Sequence, residues 1–270
     1  MRRLVAFAFT CALLVLWATG TGTRDTPPAP KPPLDIRDDT VGLLRAKQVG
    51  SLILPQGSPP FPAVVVLHGC NGVSQNTRQW ARRLAAWGYA ALIVDSFSSR
   101  GISNVCGRGL QFSGPARAKD ALAAAAWLRT RPDIDPARIG ALGYSHGGWT
   151  ALAAARASIA EKSGTKPFAA IVAYYPNCPP VTPPLATDVQ ILAGGADDWT
   201  PSQRCTDLLA KYADAPAHRP LLKIYPGAFH SFDADQPSRL YFGHQLAYDA
   251  AAAADSFDVA KQFLDSHLRR

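Results

Sequence analysis

Ser145 stands in Gly143-Tyr144-Ser145-His146-Gly147, between a short apolar run at 139–142 and an Ala-rich stretch of helical spacing. A strand that turns so sharply into a helix needs small residues two before and two after its tip, because side chains there would collide with each other and with the flanking strand. The tip is then a hydroxyl held out above the end of a sheet. Such a hydroxyl is a poor nucleophile at neutral pH unless an imidazole takes its proton during attack, and that imidazole needs an anion on its other nitrogen. Both partner types follow downstream, in the order acid then histidine. Gly194-Gly195-Ala196 leads into Asp197-Asp198, and Pro226-Gly227-Ala228-Phe229 leads into His230, each just past an apolar run. Of the six His, five have plainer readings. His68 is expected to shape the loop over the site and His146 to offer its backbone N–H, while His218, His244 and His267 fall in loop or terminal segments.

These residues need elements that bring them to one place. Continuous apolar runs at 63–67, 89–94, 169–173, 189–193 and 221–225 read, with 139–142, as strands covered on both faces. Between them lie helical patterns at 76–87, 115–130 and 148–160, and Thr200-Pro201 reads as the N-cap and first position of another. Residues 41–54 suit one or two antiparallel edge strands, and Phe257, Ala260, Leu264 and Leu268 mark a C-terminal helix laid on the sheet. Alternating strands and helices imply a mostly parallel central sheet with helices on both faces. Every candidate residue falls just past the C-terminal end of a strand, where such sheets place their sites.

At 270 residues, with 47% hydrophobic and 18% charged, the chain can build one domain with a sizeable core. Residues 1–20 carry two arginines, an apolar run and small residues, the pattern of a cleaved secretory signal. Residues 21–39 are Pro-rich and read as an extended tether, leaving 40–270 for the domain. The net charge is +8, but Lys and Arg are scattered without a basic run, so no nucleic acid is expected as partner, nor a membrane once the signal is removed. Neither C-x-x-C nor His-rich spacing occurs, so no metal is implied, and nothing suggests a cofactor. Cys11 leaves with the signal. The other four, Cys70, Cys106, Cys178 and Cys205, suggest two disulfides in an exported protein, with three connectivities open.

Taken together, Val-Val-Leu-His-Gly-Cys-Asn-Gly at 65–72, Asp95-Ser96-Phe97 with Arg100-Gly101, the 143–147 turn, Gly-Gly-Ala-Asp-Asp-Trp-Thr-Pro at 194–201 and Tyr-Pro-Gly-Ala-Phe-His-Ser-Phe at 225–232 make the chain resemble the dienelactone hydrolase family of the α/β-hydrolases. The resemblance implies Ser145 as nucleophile, His230 as general base and then acid, and Asp197, directly after Gly-Gly-x, as the orienting carboxylate. It implies an oxyanion hole of two backbone N–H groups, one from His146 and the other from Cys70, with Asn71 second. In that fold the strands before Cys70 and before the Cys106 loop are neighbours, as are those before Cys178 and Cys205, so the pairs expected are Cys70 with Cys106 and Cys178 with Cys205. Family members that open dienelactones use a cysteine nucleophile and a glutamate in the loop that here reads 68–72. This chain has serine and no glutamate there, which points to a general carboxylic-ester hydrolase rather than dienelactone opening. A polyester depolymerase or peptidase on the same fold, or a silent binding protein, is the alternative. Residues 174–188 are too short for a helical lid, so no cap domain is expected, and the substrates should be small short-chain esters, with Arg100 binding anionic ones. A monomer or weak dimer is expected.

Overall fold

The computed structural model describes residues 49–179, 184–213 and 217–269. The expected signal, the Pro-rich tether and the first part of the 41–54 stretch lie outside them. Seven strands form one sheet: β1 (Val49–Ile53), β2 (Phe61–Leu67), β3 (Ala90–Asp95), β4 (Ile134–Tyr144), β5 (Ile171–Tyr174), β6 (Val189–Gly194) and β7 (Pro220–Tyr225), in the order β1-β3-β2-β4-β5-β6-β7. Only β1, at the edge, runs antiparallel to its neighbour. The other six are parallel, and among the described residues the crossovers from β2 to β3, β3 to β4, β4 to β5 and β6 to β7 each carry a helix.

All seven residues of β2 are buried, and their alternation divides them between two cores. Val65 and Leu67 join Leu122 and Ala151 on one face, beneath α2 (Gly114–Leu128), α3 (His146–Ala154) and α5 (Ser202–Ala210); Val64 and Val66 join Trp80 and Leu264 on the other, beneath α1 (Gln75–Ala86) and α6 (Ala250–Leu268). A continuous apolar run with β-branched residues is what a two-sided strand demands, since neither face meets water.

Three local readings change. The single helix expected at 148–160 is two, α3 and α4 (Ala157–Ser163), because Arg156 adopts extended backbone (φ −72°, ψ 128°) and bridges to Leu185. Thr200 does not cap α5. Pro201 takes that position without a side-chain cap, and the Thr200 hydroxyl is drawn to a carboxylate in the site. A hairpin of β8 (Arg239–Tyr241) and β9 (His244–Leu246) was not expected at all; its turn residues Phe242 and Gly243 both have positive φ, the geometry that closes a two-residue hairpin.

Register puts the site at one sheet edge. Leu67 pairs with Gly143, Tyr144 with Tyr174, Tyr174 with Leu192, and Gly194 with Tyr225. The loops after β2, β4, β6 and β7 therefore leave the sheet side by side.

Candidate active site

The turn after β4 is as tight as the glycines suggested. A Cβ on Gly143 would lie 2.1 Å from the Gly147 carbonyl oxygen, and one on Gly147 would lie 2.0 Å from that of Leu67. No side chain fits either place. Ser145 itself holds φ 56°, a conformation costing a non-glycine residue on the order of 1–3 kcal/mol, and the packing of β4 and α3 around it maintains the strain.

Ser145 Oγ–H donates to His230 Nε2 at 2.9 Å, and His230 Nδ1–H donates to Asp197 Oδ2 at 2.8 Å. Both His230 and Asp197 are buried. The other Asp197 oxygen accepts the backbone N–H groups of Trp199 and Thr200, each at 2.9 Å. The Thr200 hydroxyl lies 2.8 Å from Asp197 Oδ2, 3.0 Å from the Tyr175 carbonyl and 3.2 Å from His230 Nδ1. Its one proton goes to the ionised acceptor, since a charge-assisted hydrogen bond is the stronger. Burial raises the Asp197 carboxyl, but the hydrogen bond and charge of His230, with the Thr200 donors, outweigh it and hold the group below the usual carboxylate range. Asp198 faces elsewhere, 3.5 Å from His244.

Rings and a second carboxylate fix the imidazole. Tyr175 packs edge-on against His230 at 4.7 Å and Trp199 lies tilted on it at 5.0 Å. Tyr175, at φ 31°, is tied down by Asp233, which accepts from its hydroxyl at 2.6 Å and from Trp80 Nε1 at 2.7 Å. Neither Tyr175 nor Asp233 stood out in sequence, where their only signal was adjacency to a strand end and to His230.

Beneath Ser145 lies Arg117, fully buried on α2. Its Nη1 donates to the His68 carbonyl at 3.0 Å and to His146 Nδ1 at 2.8 Å, so it joins the loop after β2 to the first residue of α3. His146 is thus the tautomer protonated on Nε2, which points at the Gly109 carbonyl. Burial, then the Arg117 charge, lower its pKa to about 4. The same two causes, in that order, push His68 well down; its ring is wholly buried and accepts from the Ser96 N–H at Nε2. Burial lowers Arg117 itself to about 10, so it stays protonated at neutral pH.

Disulfides join Cys70 to Cys106 and Cys178 to Cys205. The first anchors the loop after β2, whose Cys70 carbonyl also accepts from Val105 N–H at 2.8 Å. Ser145, Cys70 and Trp199 stand where two arms of a cleft meet. One arm, of about 140 Å³, is lined by Asn71, His230, Arg239 and Tyr241; the other, of about 280 Å³, by His146, Trp149, Asn177 and Arg204. Arg100, expected to bind substrate, lines neither. Its guanidinium makes a bidentate pair with Asp120 at 2.9 Å and reaches the Ser96 carbonyl at 2.6 Å. With three of its five N–H donors engaged in this way and its side chain lining neither arm, Arg100 is not placed to meet a substrate anion in the cleft, and the expectation for it is withdrawn. Among the described residues no helix is long and apolar enough to cross a membrane, and no cluster of His, Cys, Asp and Glu could hold a metal ion.

The sequence profile of the dienelactone hydrolase family matches residues 49–268. A candidate carboxymethylenebutenolidase of Synechocystis sp. is 26% identical over 240 residues, 82% of this chain and 92% of its own. Among solved structures, a dienelactone hydrolase-like promiscuous phosphotriesterase from metagenomic libraries is 25% identical, covering 82% of this chain and 92% of its own with a TM-score of 0.64. A dienelactone hydrolase candidate from Klebsiella pneumoniae superposes with the same TM-score at 21% identity, over 80% of this chain and 92% of its own.

Proposed function

Because the chain belongs to the dienelactone hydrolase family of the α/β-hydrolases, we propose that it is an exported serine hydrolase that cleaves short-chain carboxylic esters through an acyl-enzyme on Ser145. The observation that carries this reading is the unbroken run of contacts from Ser145 Oγ through both nitrogens of His230 to Asp197. In attack, Ser145 Oγ bonds to the ester carbonyl carbon while its proton passes to His230 Nε2, and Asp197 stabilises the imidazolium that forms. The oxyanion that develops is held by the backbone N–H groups of His146 and Cys70, whose separate loops Arg117 ties together. His230 then protonates the departing alkoxide, and the alcohol leaves. A water, deprotonated by His230, attacks the acyl carbon, and Ser145 recovers its proton as the carboxylic acid departs.

Short chains follow from the walls. Among the described residues between β5 and β6 there is no helix to act as a cover, so little wall is available to bury a long acyl chain, each buried methylene of which would add about 0.8 kcal/mol. Export is supported by the two disulfides, which persist in oxidising compartments. The test is a fluorophosphonate probe and a panel of acetyl to palmitoyl esters on wild type and Ser145→Ala. Labelling and acetyl-ester turnover should both vanish with the substitution. Labelling that survives it, or rates that peak at palmitoyl, would sink the reading.

A further inference from the structure

The larger arm of the cleft does not end in solvent on every side. Beyond Trp149 lies a second cavity, of about 210 Å³, lined by apolar side chains and Arg156. Both cavities run between α3 and α5, and they divide at one level. At α3 the cleft takes Ser145 just before the helix, with His146 and Trp149 on it, and the second cavity takes Trp149, Leu152 and Ala153. On α5 the cleft takes Arg204 and the second cavity takes Leu208, one turn further on, joined by Tyr212 just past the end of the helix. In the loop after β5, Asn177 faces the cleft and Pro179 the cavity. Cys178 and Cys205, bonded to each other and buried, stand at the boundary in both segments. Trp149 stands there on α3. Its indole is packed so closely on the start of α2 that a Cβ on Gly114 would come within 2.6 Å of it, so glycine at 114 makes room for this ring.

The two arms also differ in chemistry. His230, which must protonate the leaving alkoxide, lines only the smaller arm. The alcohol therefore departs on that side and the acyl group occupies the larger arm, toward Trp149.

We propose that Trp149 is a specificity-determining residue: it closes the acyl arm and separates it from an apolar extension able to hold a medium-length acyl chain. The proposal rests on the serine-esterase reading above for the identity of the arms. Removing the indole joins the two cavities, and each methylene that then becomes buried raises kcat/KM about fourfold.

The experiment measures kcat/KM for p-nitrophenyl acetate, butyrate, hexanoate, octanoate and decanoate with wild type, Trp149→Leu, Trp149→Ala and Trp149→Ala/Leu208→Trp. The octanoate-to-acetate ratio should rise at least tenfold in Trp149→Ala, less in Trp149→Leu, and return to the wild-type value when Leu208→Trp refills the extension. Calorimetric titration with decanoate, which needs no turnover, should give tighter binding to Trp149→Ala than to wild type by a similar factor. Unchanged ratios in both single variants, a gain that survives Leu208→Trp, or equal decanoate affinities would overturn the proposal. Absence of Ser145-dependent turnover in every variant, with decanoate binding still tightened, would remove the esterase reading and leave the partition standing.

Discussion

Arg117 Nη1 lies 2.8 Å from His146 Nδ1, and through that contact a buried cation on α2 grips the residue that follows Ser145. The same nitrogen holds the His68 carbonyl, two residues before Cys70. One side chain thus fixes the spacing of the two segments proposed to supply the oxyanion N–H groups.

Arg117→Met should keep the volume and lose the clamp. Because misplacing a reacting group by about 1 Å can cost on the order of a hundredfold, kcat on acetyl esters should fall about tenfold to a hundredfold with a smaller change in KM. Steady-state kinetics checks this, with circular dichroism to show that the fold remains. Unchanged kcat in a folded variant would mean that the two loops hold their spacing without it.

Acid should destabilise the fold through the histidines that this cation faces. His146 titrates at about 4 when folded, against about 6.5 in the unfolded chain, and His68 is also lowered. Between those values the unfolded chain binds more protons, so stability falls as the pH drops through the window. For His146 alone the loss approaches an order of 3 kcal/mol by pH 4. Guanidinium unfolding at pH 7 and pH 4.5 should show a drop that shrinks in His146→Asn; a drop of equal size in the variant would assign the effect to other groups.

The two adjacent aspartates should behave very differently. Asp197→Asn removes the anion from His230 Nδ1 and should cost on the order of ten-thousand-fold in kcat. Asp198 is half-exposed and pairs with His244 at 3.5 Å, so Asp198→Asn should change kcat by less than about threefold, as an exposed ion pair contributes little. Kinetics on both variants decides, and the reverse order would show that the carboxylate was misassigned.

Thr200 should act through Asp197 and His230 rather than on the substrate. Its hydroxyl withdraws charge from Asp197 Oδ2, so Thr200→Val leaves that carboxylate a stronger partner for the imidazolium. The acid limb of the kcat/KM profile should shift upward and kcat should fall between about tenfold and a hundredfold, the range for a lost hydrogen bond to a charged group. Thr200→Ser should restore both. A Val variant with a wild-type pH profile would reduce Thr200 to a packing residue.

Much of this protein is legible in contiguous residues. The turn at 143–147 is written locally, because positive φ at Ser145 and carbonyl oxygens about 2 Å from the missing Cβ atoms at Gly143 and Gly147 admit few sequences. The buried strands are equally plain, since a two-sided strand such as β2 must be apolar throughout, and their order against the helices implies that 68–72, 145, 197 and 230 meet at one edge. What the sequence could not settle was which partner each polar side chain takes. Thr200 looked like a helix cap until the fold placed an ionised carboxylate 2.8 Å away. Arg100 looked free for substrate until α2 brought Asp120 within bidentate reach. Arg117, Asp233 and Trp149 carry no local pattern, because each acts on residues far along the chain, through a crossing of elements that only the packed sheet creates. Helical periodicity, turn chemistry and apolar runs are short-range consequences of backbone sterics and water, whereas hydrogen-bond pairing and the closing of a cleft depend on distances that no single element determines.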